Sequence, residues 1–301
     1  MKTTAFDIIE NQDLSGKVFL ITGGYTGLGA INTQALLMAK AKVIVTGRSA
    51  SAQGEFVKSL KDNPNLNIED SQIDASHTMD LGDLKSVMDF ANYVKGNYQQ
   101  IDCLINNAGV MNTPPGKTKD GFETQMGINV IGHFLLSKIL VDISRRQVWL
   151  SSKGHIRYGA PRIDLNAITN INEPPYIPRA RYQQAKLGDI LLAKQFAAQY
   201  PHLQAVSVHP GGVKTNLGRH MTTGQKIKFI LTNPFIVMSM VSAEEGAATQ
   251  VMVATMPDEQ ISNGAYYADC KVTEEAESAK NMEDAKKLFD YCDEVTKAYQ
   301  V

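Results

Sequence analysis

The chain has 301 residues, enough for one large α/β domain or two small ones, either with a well-buried core. The 30 Lys and Arg residues nearly cancel the 31 Asp and Glu residues, and no long run of either sign occurs, which excludes an electrostatic footprint for nucleic acid or anionic lipid. The three cysteines, Cys103, Cys270 and Cys292, are widely spaced and the 6 histidines dispersed, so neither a disulfide framework nor a metal site is readable and a reducing cytoplasm is expected.

The N-terminal stretch MKTTAFDIIENQDLSGKV scatters acids among few apolar residues, so no signal peptide is expected. From residue 17 strand-like runs alternate with helical patterns: KVFLIT, a helix through LLMAKA, KVIVTG, a helix near Glu55 to Leu60, and a weak short strand before Asp80. Next come a helix at Leu84 to Val94, CLINNAG, a long helix over about Ile128 to Ser144, QVWLSS, a helix from about Tyr182 to Tyr200, and AVSVHPGG. Strands apolar on both faces and separated by helices predict a doubly wound parallel sheet, a Rossmann fold in a single domain covering residues 1–301. Two long loops interrupt the alternation, the polar Asn63 to Ser76 and the Pro-rich Lys153 to Arg181. The most lipid-like window, Phe229 to Val241, is broken by Asn233 and Pro234 and is too short to span a bilayer; no transmembrane anchor is expected. Residues 216–242 instead read as a lid over an apolar substrate.

The first strand runs into TGGYTGLG, Thr22 to Gly29. Glycines at such a turn let backbone N–H groups approach a pyrophosphate at the positive end of the following helix. The spacing, Gly23-x-x-x-Gly27-x-Gly29, departs from G-x-G-x-x-G, and no lysine followed by Ser or Thr marks a P-loop. Two later strands end in NNAG, Asn106 to Gly109, and HPGGVKT, His209 to Thr215, where dinucleotides lie in this architecture.

TGGYTGLG, NNAG, the Ser-Ser ending a strand, YQQAK and PGGVKT occur in the order of the short-chain dehydrogenase/reductase family, which the chain resembles over nearly its whole length. MGINVIGHFLLSKIL, RYQQAKLGDILLAKQFA, HPGGVKTNLGRH and SNGAYYADCKV look closer still to its retinol dehydrogenase and WW-domain oxidoreductase branch. The resemblance implies a nicotinamide cofactor and carbonyl/alcohol chemistry. It places Gly23, Tyr25, Thr26, Gly27, Leu28 and Gly29 on the cofactor, with Asp80 and Leu81 at the adenine. Asn107, Ala108 and Gly109 join them, as do Pro210, Gly211, Val213 and Thr215. It also aligns Ser152, the second of the Ser-Ser pair, with the catalytic serine, and Asn129 with the asparagine that supports a water leading from the lysine toward solvent.

Two tyrosines stand four residues before a lysine: Tyr182 with Lys186 in YQQAK, and Tyr267 with Lys271 in YADCK. The first pair opens a helix, so its members lie one turn apart on one face. The second follows the turn-forming Asn263-Gly264 and reads as a last edge strand, where side chains four apart do not converge on one proton. Tyr182 is therefore the expected acid/base, a phenol whose pKa the Lys186 ammonium and an oxidised nicotinamide together lower, while Lys186 also holds the nicotinamide ribose. His133, His155 and His209 read as packed histidines. At the end of the second strand, VIVTGRSAS carries Gly47 and Arg48 where NAD enzymes place an acid, so NADP(H) is the expected cofactor. Thr26 stands where some NADP enzymes of the family have a second basic residue.

The leading reading is an NADP(H)-dependent oxidoreductase acting on a small-molecule carbonyl or alcohol. An NADP(H)-binding redox sensor with little turnover is the alternative, and a sugar epimerase or dehydratase ranks last because little chain follows His209. Monomer and homodimer both stay open.

Overall fold

The computed structural model describes residues 3–64, 66–156, 162–172, 175–213 and 240–300. Eight strands form one sheet in the order β3-β2-β1-β4-β5-β6-β7-β8. They are β1 Val18–Thr22, β2 Lys42–Thr46, β3 Ile73–Asp74, β4 Cys103–Asn106, β5 Arg146–Leu150, β6 Gln204–His209, β7 Tyr266–Ala268 and β8 Lys271–Val272. All pair in parallel except β8, which returns antiparallel to β7. This is the expected single-domain doubly wound fold.

Period-2 alternation divides the apolar residues of each central strand between two cores. Leu20, Ile44, Leu104 and Trp149 face one side, with helices α4 Leu84–Asn97, α6 His133–Ile139, α7 Pro178–Gln199 and α9 Met282–Thr296. Phe19, Ile21, Val43, Val45, Ile105 and Val148 face the other, with α1 Ala5–Ile9, α2 Gly27–Met38, α3 Ala50–Lys61 and α8 Ala243–Thr255. A further short helix, α5 Thr124–Met126, runs through a π-helical turn, Gly127–Gly132, into α6. No helix among the described residues is long and apolar enough to cross a membrane.

Four local expectations are corrected. The polar stretch 63–76 is not all loop: it contains a 3-10 turn at Asp70–Gln72 and then β3, whose two residues pair with Val43 and Ile44. The helix expected over 128–144 begins at Thr124, is widened by the π turn and ends in a 3-10 turn at Val141–Ile143. α7 starts at Pro178, whose fixed φ suits a first helical position, so Tyr182 sits in its second turn. YADCK is a hairpin spanning two strands: Asp269 and Cys270 both take positive φ, 51° and 56°, which is the backbone of a two-residue hairpin turn.

The sheet order reverses direction between β1 and β4, and a doubly wound sheet opens its ligand crevice at the strand ends there. That crevice receives the turn after β1, the NNAG turn after β4 and the Ser-Ser after β5.

Candidate active site

Gly23 and Gly27 adopt positive φ, 64° and 53°, which glycine reaches without steric cost. A Cβ on Gly29 would lie 2.3 Å from the Gly23 carbonyl oxygen and 2.6 Å from Asn107 Nδ2, whereas one on Gly27 would meet nothing within 4 Å. The inner side of the turn is thus packed to its limit and its outer side is open. α2 begins here with Thr26 at its N-cap and no side-chain cap, so its first N–H groups and positive end are left toward the crevice. This uncapped helix end beside an open glycine fits a dinucleotide pyrophosphate. Leu28 packs beside Gly246 of α8, where a Cβ would lie 2.4 Å from Val213 and 3.1 Å from Leu28. Close helix packing therefore joins the first turn to the end of HPGGV.

Thr22, fully buried at the end of β1, fastens the first turn to NNAG. Its Oγ1 accepts from the Asn107 and Ala108 N–H groups at 3.0 and 2.9 Å, and its carbonyl accepts from Asn107 Nδ2 at 2.8 Å. With both acceptor positions taken, the hydroxyl donates to His133 Nε2 at 2.9 Å. His133 Nδ1–H then donates to the Asn129 carbonyl at 3.0 Å, which assigns a neutral ring. Burial pushes the His133 pKa down to about 3, the Asn129 carbonyl only partly opposing it and Lys186 adding to it.

Asn129 lies in the π turn, where its side chain brackets Val110: Oδ1 accepts from the Val110 N–H at 2.9 Å and Nδ2 donates to the Val110 carbonyl at 3.0 Å. π turns widen a helix and recur at functional sites. A Cβ on Gly109 would lie 3.1 Å from Asn129 Oδ1 and 4.0 Å from Lys186 Nζ, so Gly109 marks the meeting of all three. Gly132, in the same turn, lets the Leu81 carbonyl approach to 2.5 Å of where a Cβ would be. Asp80 accepts from the Gly82 N–H at 2.9 Å, and it is Asp83 that caps α4.

The Ser-Ser pair divides as alternation predicts. Ser151 is buried and its Oγ donates to the Lys186 carbonyl at 2.6 Å, tying β5 to α7. Ser152 is only half-buried; its Oγ accepts from the Gly154 N–H at 3.0 Å, and a Cβ on Gly154 would touch both Ser152 Oγ, at 3.4 Å, and the Tyr182 ring, at 3.3 Å. His155 locks this turn: Nδ1 donates to the Ser152 carbonyl at 2.5 Å while Nε2 accepts from the Ala276 N–H at 3.2 Å. His209, at the end of β6, accepts from the Lys153 N–H at 3.2 Å.

Tyr182 and Lys186 face each other on α7, with Lys186 Nζ 5.8 Å from the Tyr182 ring centre. Nζ donates to the Leu150 carbonyl at 2.6 Å and to Asp189 Oδ2 at 2.8 Å. Without a nicotinamide beside it, the pKa of Tyr182 is raised, although Lys186 acts in the expected direction. Burial dominates; Lys186 and a hydrogen bond with Ser152 pull it down, and Asp189 pushes it up again. Tyr267 is a core aromatic whose hydroxyl accepts from the Ser262 N–H at 2.9 Å, and its partner in YADCK, Lys271, is exposed on β8.

At the end of β2, Arg48 is exposed and Gly47 carries the Tyr25 ring against it: a Cβ there would lie 2.3 Å from Tyr25 Cε1. Pro210 and Gly211 follow β6, Gly211 with φ 88°. Val213 forms an isolated parallel bridge with Val241, and the Val241 N–H donates to the Gly212 carbonyl at 2.8 Å. Thr215 and positions 216–239 of the expected lid lie outside the described residues. Among the described residues no group of three or more His, Cys, Asp or Glu side chains is placed to hold a metal. Thr22 and Asp189 were not singled out in the sequence: a threonine ending a strand and an aspartate inside a helix carry no local signal of their buried partners.

A model of the short chain dehydrogenase family matches residues 17–226. The chain is 32% identical to human retinol dehydrogenase 14, over 92% of this chain and 85% of that protein. It is 34% identical to human retinol dehydrogenase 12, over 93% and 86% respectively. It is 33% identical to the chloroplastic short-chain dehydrogenase TIC 32 A of Brassica napus, over 96% and 91%. Among solved structures it is similar to an uncharacterized protein from Mycobacterium paratuberculosis, with TM-score 0.77 and 26% identity over 99% of this chain and 98% of that one. Levodione reductase, at TM-score 0.63 and 20% identity over 85% and 96%, shares the fold.

Proposed function

The chain belongs to the short-chain dehydrogenase family, within its retinol dehydrogenase branch, and from that premise we propose an NADP(H)-dependent oxidoreductase that interconverts a carbonyl and an alcohol on a small to medium apolar substrate. The observation that carries this reading is the meeting of Ser152, Tyr182 and Lys186, from β5 and α7, beside the open turn at Gly27 and the uncapped start of α2.

A bound nicotinamide dinucleotide supplies the hydride. The substrate carbon gains a C–H bond as its π electrons move onto oxygen, and that oxygen takes the proton of the Tyr182 hydroxyl. Ser152 donates to the same oxygen, poised before charge develops. Lys186 stabilises the phenolate left on Tyr182, and its one N–H not engaged by Leu150 and Asp189 is available to a ribose hydroxyl. Gly23, Gly27 and the first N–H groups of α2 would hold the pyrophosphate, and Asp80 and Leu81 would lie at the adenine.

NADP(H) is favoured over NAD(H) by two features at the end of β2. The Tyr25 ring occupies the space a side chain on Gly47 would need, which keeps an acid from that position, and Arg48 is exposed to pair with a 2′-phosphate. A substrate lid at 216–242 is supported by the bridge between Val213 and Val241, which brings a residue just before that stretch beside its last but one. Free thiols at Cys103, Cys270 and Cys292, two of them buried, fit a reducing cytoplasm.

Single-turnover oxidation of NADPH with Tyr182→Phe and Tyr267→Phe side by side tests the reading. Deleting the proton donor at Tyr182 should slow turnover by about 10²- to 10⁴-fold with cofactor affinity nearly kept, while Tyr267→Phe should leave it unchanged. A Tyr182→Phe enzyme that keeps its rate overturns the assignment.

A further inference from the structure

Lys186 does not face Tyr182 as a bare cation. One helical turn further along α7, Asp189 places Oδ2 2.8 Å from Nζ, and both side chains are enclosed, Lys186 at 6% and Asp189 at 3% exposure. Residues three apart on a helix share a face, so the contact is fixed by the backbone. An isolated ammonium acts on a nearby phenol as a monopole. With a carboxylate in contact it becomes the positive end of a short dipole, whose field at the phenol is weaker and falls off faster.

We propose that Asp189 is a positioning residue that aims the Lys186 ammonium and cancels part of its field at Tyr182, so that Tyr182 stays a protonated donor through neutral and alkaline pH. The proposal rests on the reading of Tyr182 as acid/base and assigns this chain a site set for carbonyl reduction, the direction that needs the phenol loaded with its proton. Burial pushes the Asp189 carboxyl up to about 6 against the pull of Lys186, so it is a carboxylate throughout the range in which Tyr182 would act. Burial pulls the Lys186 pKa down, but Asp189 and Tyr182 together outweigh it and the ammonium is retained.

The other ionisable groups on elements packed against this stretch of α7 are otherwise engaged. His133, from the π turn and α6, is neutral and bonded at both nitrogens; Glu123, before α5, accepts from Tyr176 at 2.7 Å and from the Met126 N–H at 2.8 Å. After β5, His155 bonds Ser152 and Ala276, and Lys153 reaches Asp269 at 4.0 Å. His209 of β6 accepts from the Lys153 N–H, Asp284 of α9 pairs with Arg162 at 2.6 Å, and Glu275 pairs with Lys194 at 2.7 Å. Asp189 is therefore the carboxylate in contact with Lys186 among the described residues.

The test is the cofactor-free tyrosinate titration, read as the ultraviolet difference between each protein and its Tyr182→Phe counterpart. In the native background Tyr182 should not titrate below the ordinary phenol value of about 10, and Asp189→Asn, which keeps shape and removes charge, should lower its pKa by about one unit or more. In turnover, the acid limb of the alcohol-oxidation profile of Asp189→Asn should move to lower pH by a similar amount, whereas a merely structural residue would depress the rate at every pH without moving the limb. An unchanged or raised Tyr182 pKa in Asp189→Asn overturns the proposal. If that variant does not fold, Asp189→Ser and the native difference titration decide, and a Tyr182 titrating near neutrality in the native protein overturns it. The titration measures the phenol without turnover, so it fails independently of the acid/base assignment, which falls only if Tyr182→Phe stays active.

Discussion

Replacing Thr22 with valine keeps the volume and branching of the side chain at the end of β1 and removes one oxygen. That oxygen accepts from two N–H groups, Asn107 at 3.0 Å and Ala108 at 2.9 Å, and donates to His133 Nε2 at 2.9 Å. Stripping a buried polar group of its partner costs ~1–3 kcal/mol. The Asn107 N–H keeps its bond to the Ile105 carbonyl at 2.9 Å and loses little, while Ala108, half-buried, takes the lower end of that range. His133 is enclosed and takes a value nearer the middle, so the losses sum to about 3 kcal/mol. Urea denaturation followed by tryptophan fluorescence reads the change, since the single tryptophan, Trp149, is buried on β5. With slopes of about 3 kcal/mol per molar for a chain this size, the midpoint should fall by about 1 M. The same oxygen sets the NNAG backbone against the first turn, so NADPH affinity should fall in parallel. A variant whose midpoint moves by less than about 0.2 M, an energy of about 0.5 kcal/mol, would show that the hydroxyl is not what joins β1 to β4.

Three further outcomes follow from individual contacts. His133 is neutral when folded, with its pKa lowered from 6.5 to about 3, so stability is fully present above the unfolded value and is lost as pH falls toward the folded one. Between pH 7 and pH 4 this one group should cost about 3 kcal/mol, and a His133→Gln protein compared by denaturation at both pH values should lack that increment of acid sensitivity. Gly29→Ala puts a methyl 2.3 Å from the Gly23 carbonyl oxygen and should cost several-fold or more in NADPH affinity, measured by calorimetry; unchanged affinity would mean the turn can spread without loss. Arg48→Ala should narrow the gap between NADPH and NADH dissociation constants by about 1.5 to 3 kcal/mol, the worth of a hydrogen bond to a charged group, and equal constants in the native protein would remove Arg48 from the cofactor site.

The central strands were legible because a strand buried on both faces needs apolar residues at successive positions, and KVFLIT, KVIVTG and QVWLSS supply them without reference to anything distant. That Tyr182 and Lys186 face each other was legible for a similar reason: local pattern marks the helix, and residues four apart on a helix share a face. The hairpin inside YADCK was not, since its turn residues are Asp269 and Cys270 rather than the asparagine or glycine that usually announce positive φ. β3 was legible only as a weak short strand before Asp80; its bounds, two half-buried residues in a polar stretch, are set by pairing with β2. The π turn around Asn129 is likewise set from outside, by the Leu81 carbonyl against Gly132 and by the bracket on Val110. Sequence patterns encode which backbone state a segment favours, but a buried polar atom is satisfied by whichever group the packed fold brings within reach. Thr22 with His133, and Lys186 with Asp189 and the Leu150 carbonyl, acquire their meaning only when β1, β5, α6 and α7 close around them.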